Sequence, residues 1–464
     1  RGHVQNTLSE RVSFANVYGN VFAKNNPVEL LRVAAKRYNS KGMPSPGLTP
    51  KLAAEIDEML TYHFNIYHRR ENISVTDDML DELVDGLLRD ARDRSYDKRY
   101  AGEGWNWRED VIGLRCALKS TDKIANMTKG YNPDGVAQGI ASSSLGLNAK
   151  LQMLTRLMAM VRRQSIRNDN EVSGITMHGQ SLEHFVTEVA NQADRFAYIP
   201  DSANVDVAKA DSGGTCPVQY MQKSYWKMMC FSPHIVDMVY DSVSNVRVVG
   251  NGIFYTIKYE MPSGVLMTKE YNEINDEVIG NYVLDGTGPI AWNGSGDDFN
   301  KKQAELHINT RRLSWVHTWT NSEFAFTQNM VVDFCGMLYN NGAMSLNLLA
   351  KVWRVLSKHL PDEKTFEEYR LSICEYVDLV EKIGIKQCAH ATAETYSSWV
   401  SNMSVEEAMA CYDLLRSFTQ AEYKDVRHMM SKRVYDIPIR DHHDNTCTEV
   451  EVRLSGGDIR YSPI

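Results

Sequence analysis

Three short elements in this sequence combine acids, amides and glycines at spacings that chemistry can use. They are Asp206-Val-Ala-Lys-Ala-Asp211, then Ser263-Gly264 followed by Thr268 and Asn272, then Gly296-Asp297-Asp298. Nucleotidyl or phosphoryl transfer with two metal ions needs acidic oxygens from separate strands, converging on a pair of Mg²⁺ about 3.5–4 Å apart. The ions make an attacking hydroxyl easier to deprotonate and offset the charge that grows on the phosphorus oxygens and the leaving pyrophosphate. Mg²⁺ takes hard oxygen ligands and keeps several waters, so a few aspartates with substrate phosphates suffice. Asp206 and Asp297 are the candidate metal ligands, with Asp298 as the assisting acid of the same set.

Each element has a plainer reading when taken alone. Gly-Asp-Asp is a common surface turn, paired aspartates face solvent or cap helices, and Ser263 fits the N-cap of a helix that places Thr268 and Asn272 one turn apart on one face. Their occurrence in this order favours the joint reading. A second feature bears on phosphate. No acid occurs between Asp134 and Asp169, whereas Lys150, Arg156, Arg162, Arg163 and Arg167 do. Screening confines such a strip's field to about 8–10 Å, so it can hold phosphates even on an acidic protein. The alternative for each of these residues is a solvated helix face.

The elements that must position these residues are legible in outline. The chain has 464 residues, 43% hydrophobic and 24% charged, with 51 basic and 59 acidic side chains and a formal charge of −8. That length spans two or three domains or one large enzyme, and the composition excludes a mainly disordered or fibrous chain. No apolar run is long enough to span a bilayer, and the start at Arg1 lacks a secretory pattern. The eight cysteines form no CxxC pair and read as free thiols in a reducing compartment. Cys388, His390, His442, His443 and Cys447 invite a zinc reading, but their spacing fits no common zinc pattern.

A stripe of Met79, Leu80, Leu83, Val84, Leu87 and Leu88 makes the first 130 residues mainly helical, with packing as its use. From about 200 to 345 the pattern is mixed, with a hairpin expected where Val246–Val249 and Ile253–Tyr259 flank Gly250-Asn251-Gly252. The apolar run Gly288–Trp292 leads to Asp297-Asp298, which puts the acids at a strand-turn-strand tip. The last third is helical. Leu346, Leu349, Val352, Trp353, Leu356 and Leu360 form one face, and Thr365 with Glu368 and Ser404 with Glu407 have capping-box spacing.

With its three elements in this order, the sequence resembles the viral RNA-dependent RNA polymerases. Asn321-Ser-Glu323 and Asp333-Phe-Cys-Gly336 are similar to downstream elements of positive-strand viruses of the alphavirus-like supergroup, and Ala137-Gln-Gly-Ile140 is similar to that group's fingertip element. The resemblance covers about residues 123–345. It implies an α+β right-hand polymerase with fingers, a palm built on an antiparallel sheet, and a helical thumb. The expected division is 1–122 as an N-terminal helical region with part of the fingers, 123–200 as fingers with the basic strip, 201–344 as palm with an inserted fingers segment, and 345–464 as thumb.

The implied activity is template-directed RNA synthesis with two Mg²⁺ ions, for which Mn²⁺ can substitute. Asp206, Asp297 and Asp298 would hold the metals. Asp211 and Asn272, with Ser263, Gly264 and Thr268, would check the ribose, since a carboxylate beside an amide can pair with a 2′-hydroxyl that both donates and accepts. Arg162, Arg163 and Arg167 are the first choices for the triphosphate, ahead of Lys150, Arg156, Lys123 and Lys129. Implied partners are RNA template and product, nucleoside triphosphates and other viral replication proteins. The implied setting is the host cytoplasm, on membrane-associated replication complexes that this chain would join without a span of its own.

The sequence departs from the family at two points. Phe324-Ala-Phe-Thr327 has no lysine where related enzymes carry a candidate proton donor, and Ser142-Ser-Ser-Leu145 replaces the usual tryptophan and lysine after the fingertip element. Two other activities compete. A reverse transcriptase shares paired palm acids but generally has an aromatic residue beside them, where Ser295-Gly296 stands here, and a non-catalytic RNA-binding protein could retain a degenerate palm.

Overall fold

The computed structural model describes residues 46–69 and 145–424 apart from 209, 211–212, 251–252, 329–330, 341–342, 357–359, 361 and 397–402, with residues 76, 78–79 and 82 and several short strands outside those ranges. The structure is mixed α+β and divides into two compact units, Leu30–Ala117 with Gly139–Asn329, and Arg1–Glu29 with Leu118–Gln138 and Met330–Ile464. No helix among the described residues is long and apolar enough to cross a membrane.

The first unit is built on a five-stranded sheet of β1 (Val172–Thr176), β2 (Ser202–Ala208), β3 (Leu284–Ser295), β4 (Asp298–Ile308) and β5 (Glu323–Thr327), in the order β5-β2-β4-β3-β1. Four strands pair antiparallel, but β1 runs parallel to β3. The sheet is therefore mixed, which corrects the wholly antiparallel expectation. The cause is the connection from β1 to β2 through a helix, Leu182–Arg195. A helical crossover returns the chain to the same end of a sheet, so β1 and β2 share a direction, and the hairpin β3–β4 fills the space between them. Gly174 on β1 faces Trp292 on β3, where a Cβ would lie 2.3 Å from the indole.

The same unit holds the helices α1 (Pro50–Tyr67), α2 (Leu145–Ser165) and α3 (Thr268–Asn275), of which α1 and α3, like the crossover helix, pack on the sheet. Thr49 caps α1 by accepting from the Leu52 N–H at 3.2 Å, with Pro50 in the first turn where a missing N–H is harmless. Helix α3 runs on through a wide turn, Asp276–Gly280, into β3. Every residue from Glu270 to Gly280 is buried, acids included.

Those acids surround one cation. The Arg162 guanidinium on α2 is 1% exposed and lies 2.9 Å from Glu270, 2.8 Å from Glu273 and 2.7 Å from Glu277. The other oxygen of Glu277 is 2.8 Å from His63 Nε2 and 2.7 Å from His68 Nε2, which joins α1 to the same cluster. Burial alone would raise the Glu277 carboxyl, but Arg162, His68 and His63 outweigh it and hold it well below the usual range.

The expected hairpin is present. Asn245–Gly250 pairs antiparallel with Ile253–Lys258, closing with Gly250 opposite Ile253. In the second unit Val331–Phe334, Met337–Asn340 and Ala343–Leu346 form a meander, so Leu346 ends a strand and the helix starts at Leu348. The Ser404–Glu407 capping box has both of its bonds, at 2.8 and 3.1 Å. The Thr365–Glu368 box does not form, because Asp362 starts that helix earlier by accepting from the Thr365 N–H. Cys388 is a buried thiol that accepts from the Leu346 N–H and is pushed up to about 11 by burial. His442, His443 and Cys447, like Leu80 to Leu88 of the N-terminal stripe except Glu82, lie outside the described residues.

Two predictions follow from these buried charges. Arg162→Ala strands three carboxylates and should lower the unfolding free energy by about 3–5 kcal/mol in urea, whereas Arg156→Ala, at an exposed position on the same helix, should change it by less than about 0.5 kcal/mol. Lys301 on β4 is buried, donates to the Leu284 carbonyl at 2.6 Å, and is pulled down to about 7 by desolvation. Above that value the unfolded chain binds the extra proton, so stability rises with pH. Between pH 7 and 9 the native protein should gain about 2 kcal/mol more than Lys301→Met does.

Candidate active site

The hairpin β3–β4 closes with Ser295 opposite Asp298, leaving Gly296 and Asp297 as its two turn residues. Gly296 has φ +67°, the conformation that a type II′ hairpin requires at its first turn position. Asp298 in turn faces Asp206 on β2, and Asp206 faces Ala325 on β5. Residues directly opposite in an antiparallel ladder have Cα atoms about 4.5–5.5 Å apart and side chains on the same face. Val205, Val207 and Phe299 alternate with these acids and are buried, so the aspartates occupy the other face. Asp206 and Asp297 are exposed and Asp298 is half-buried. Acids from two distant stretches of the sequence thus lie together at one end of one sheet.

The tip is pinned from behind. Glu273 Oε1 accepts from the Gly296 N–H and from the His178 N–H, each at 3.2 Å, while its Oε2 takes Arg162. The Met177 N–H donates to the Gly294 carbonyl at 3.0 Å. His178 also meets Glu270 through its ring, and although burial opposes the charge, Glu270 and Glu273 raise the imidazole above its ordinary value. The Arg162 cluster therefore sets the position of the acidic turn through one glutamate.

The Ser-Gly element lies on the strand Gly139–Ser142, the end of the expected fingertip element. The Ala141 N–H donates to the Ser263 carbonyl at 2.7 Å, and a Cβ on Gly264, whose φ is +98°, would lie 2.3 Å from Ile140 Cγ2. Glycine is the residue that fits there on both counts. Ser263 is not the cap of the following helix, since α3 starts at Thr268 after Met267 with no side-chain cap. The Thr268 hydroxyl donates to the Pro262 carbonyl at 2.7 Å. One turn on, Asn272 is buried and its Oδ1 has no partner among the described residues. Asp211 lies outside the described residues.

The basic strip divides. Arg162 is corrected: its guanidinium is enclosed by three glutamates and has no donor left for a triphosphate. Those acids lie 108, 111 and 115 residues further along the chain, so nothing near Arg162 in the sequence marks it as a core residue. Arg167 is paired with Asp169 at 2.9 Å and Glu171 at 3.4 Å. Arg163 donates to the Gly179 carbonyl at 3.0 Å and is half-buried, and Arg156 is exposed on α2. Lys150 is on the same helix, with its side chain outside the described ones, as is that of Lys123, and Lys129 is not described.

Sequence reasoning missed the glutamates Glu270, Glu273 and Glu277, the histidines His63, His68 and His178, and Asp276. Acids at 270, 273, 276 and 277 recur at helical spacing, which usually marks a solvated face. The apolar positions Tyr271, Ile274 and Val278 on the same helix are buried too, so the helix is enclosed on all sides. His63, His68 and Glu277 could geometrically hold a metal, their ligand atoms lying within 4.8 Å of one another. Glu277 is already bonded to Arg162 and both rings, which makes this group an ionic network complete in itself.

No family model matches the sequence. Over 248 residues, 53% of the chain, it is 27% identical to the replicase of beet necrotic yellow vein virus (isolate Japan/S), and the match takes in 11% of that relative's length. The chain is distantly and partly similar to a region of a viral replicase, about a tenth of that larger protein.

Proposed function

We propose that this chain is the polymerase region of a viral replicase and performs template-directed RNA synthesis, on a right-hand arrangement of fingers, palm and thumb. The observation that carries this reading is the register of the central sheet, which sets Asp298 opposite Asp206 with Asp297 at the adjoining turn. In the reaction a 3′-hydroxyl attacks the α-phosphorus of a nucleoside triphosphate, a new P–O bond forms, and pyrophosphate leaves with the bond to the α-phosphorus broken.

The donor set suits Mg²⁺ or Mn²⁺: hard carboxylate oxygens on two strands and a turn, with buried carboxylate oxygens behind them that lack partners among the described residues. Asp206, Asp297 and Asp298 would hold the ions. When bound, the two ions supply Lewis acidity toward the hydroxyl and the phosphate oxygens. The chain's own contribution is orientation. Glu273 fixes the turn that bears Asp297, and α3 presents Asn272, whose free Oδ1 is an acceptor for a ribose 2′-hydroxyl, with Asp211 as its expected companion. Arg156 and Arg163, and Lys150 on the same helix, are the remaining candidates for phosphate contact. RNA would be tracked through its backbone and shape, giving salt-sensitive and sequence-tolerant binding. Replication proteins and membrane-associated complexes of the host cytoplasm are the setting that this reading entails.

Primer extension with purified protein tests it. Ribonucleotides should be incorporated in the presence of Mg²⁺ or Mn²⁺, and Asp297→Ala should reduce the rate by at least about 10³-fold while leaving RNA affinity within about twofold, since template binding rests on basic contacts. Equal activity in the variant and the parent would remove the metal-site assignment. Asn272→Ala should narrow the preference for ribonucleotides over deoxyribonucleotides by about tenfold, the effect of one lost hydrogen bond to a site hydroxyl. Incorporation of deoxyribonucleotides with rejection of ribonucleotides would point to reverse transcription instead.

A further inference from the structure

A fourth carboxylate lies behind the acidic turn. Asp276 is 1% exposed and opens the wide turn Asp276–Gly280 that follows α3. Neither of its carboxylate oxygens has a hydrogen-bond partner among the described residues. The neighbouring acids Glu270, Glu273 and Glu277 are bonded to Arg162, which leaves that guanidinium with nothing to offer Asp276. The wide turn packs on β2, β3 and β4, the strands that bear or flank Asp206, Asp297 and Asp298. Gly280 permits this approach, since a Cβ there would lie 2.7 Å from Phe299 on β4. Burial, then the like charges of Asp297, Asp298, Glu273 and Asp206, push the Asp276 carboxyl well above the usual range.

An acid that is buried, unpaired and ringed by like charges is unfavourable in the bare protein. Protonation relieves it, and so does positive charge arriving from outside the described side chains, which alone leaves both oxygens able to act as ligands. Wide turns of this kind inside α-helices occur frequently at functional sites. We propose that Asp276 is the inner carboxylate of the divalent-cation centre, offering its unpartnered oxygens to the ion held by Asp206, Asp297 and Asp298 or to the waters that ion keeps. The inference rests on the metal-site reading of those three acids and adds to it a residue from a different element, the helix that also bears Asn272. Mg²⁺ retains several waters, and oriented acceptors around them fix the ligand geometry as firmly as direct contacts do.

Mn²⁺ binding by the full chain, free of RNA and nucleotide, tests this by calorimetric titration together with thermal unfolding with and without the ion. In Asp276→Asn the cation-free protein should melt about 2–4 °C higher, because a repelled acid has been removed, while Mn²⁺ should bind about tenfold more weakly. That crossing of signs is what a purely structural aspartate does not produce. Asp297→Asn should weaken Mn²⁺ at least as much. If Asp276→Asn binds Mn²⁺ within twofold of the parent while Asp297→Asn has lost it, Asp276 lies outside the centre and the metal-site reading stands. If Asp297→Asn also binds like the parent, that reading fails and the role of Asp276 fails with it. Should Asp276→Asn not fold, the smaller Asp276→Ser supplies the same comparison under the same criteria.

Discussion

The guanidinium of Arg162 ties together parts of the chain that are far apart in sequence. Its N–H donors meet the carboxylates of Glu270, Glu273 and Glu277 and the Glu273 backbone carbonyl, and two of those glutamates pass the constraint on. Glu277 fixes α1 through His63 and His68, and Glu273 fixes the turn between β3 and β4 through the Gly296 N–H. A planar fork suits this role because it satisfies several oxygens at once without moving. A buried ion cluster is weak evidence for stability, because taking its members out of water is costly, but its directionality is strict. Here that directionality registers a helix against a sheet to within a hydrogen bond.

The sheet adds a constraint of another kind. Backbone pairing sets Asp206 and Asp298 opposite each other whatever their mutual repulsion, and the two-residue turn brings Asp297 beside them. Like charges directly opposite in a ladder are unfavourable in the bare protein. The acids of α3 resolve the same conflict differently, by enclosing an arginine. Two acidic clusters lie on either side of one glutamate, one neutralised from within and the other the cation site proposed above.

This division also explains which basic residues remain for substrate. Arg162 on the helix 145–165 and Arg167 just beyond it are bonded to carboxylates, so the basic strip offers phosphate a narrower set than its composition implies. The edge strand β5 lies against Asp206 with Phe324 and Phe326 and no lysine. Under the proposed activity, a proton for pyrophosphate would therefore come from another position. The similarity to a replicase spans about half of the chain.

Local pattern revealed what local forces decide. The β3–β4 turn was legible because glycine between an apolar run and paired acids has few other uses, and the hairpin at 245–258 and the Ser404 cap were legible for similar reasons. The candidate acids and the Ser-Gly element were found as a set because their order is specific even though each alone is not. What the sequence hid is every interaction made across long separations. Arg162 reads as one more charge in a basic strip, and Glu270, Glu273 and Glu277 read as a solvated face, until folding encloses them together. Likewise the parallel placement of β1 depends on which strands the hairpin β3–β4 inserts between, a choice of topology and not of propensity. Residue types determined which chemistry was available. Tertiary structure alone decided which charges are spent on one another and which are left for a ligand, because burial acts on pairs that the chain brings together only when it is folded.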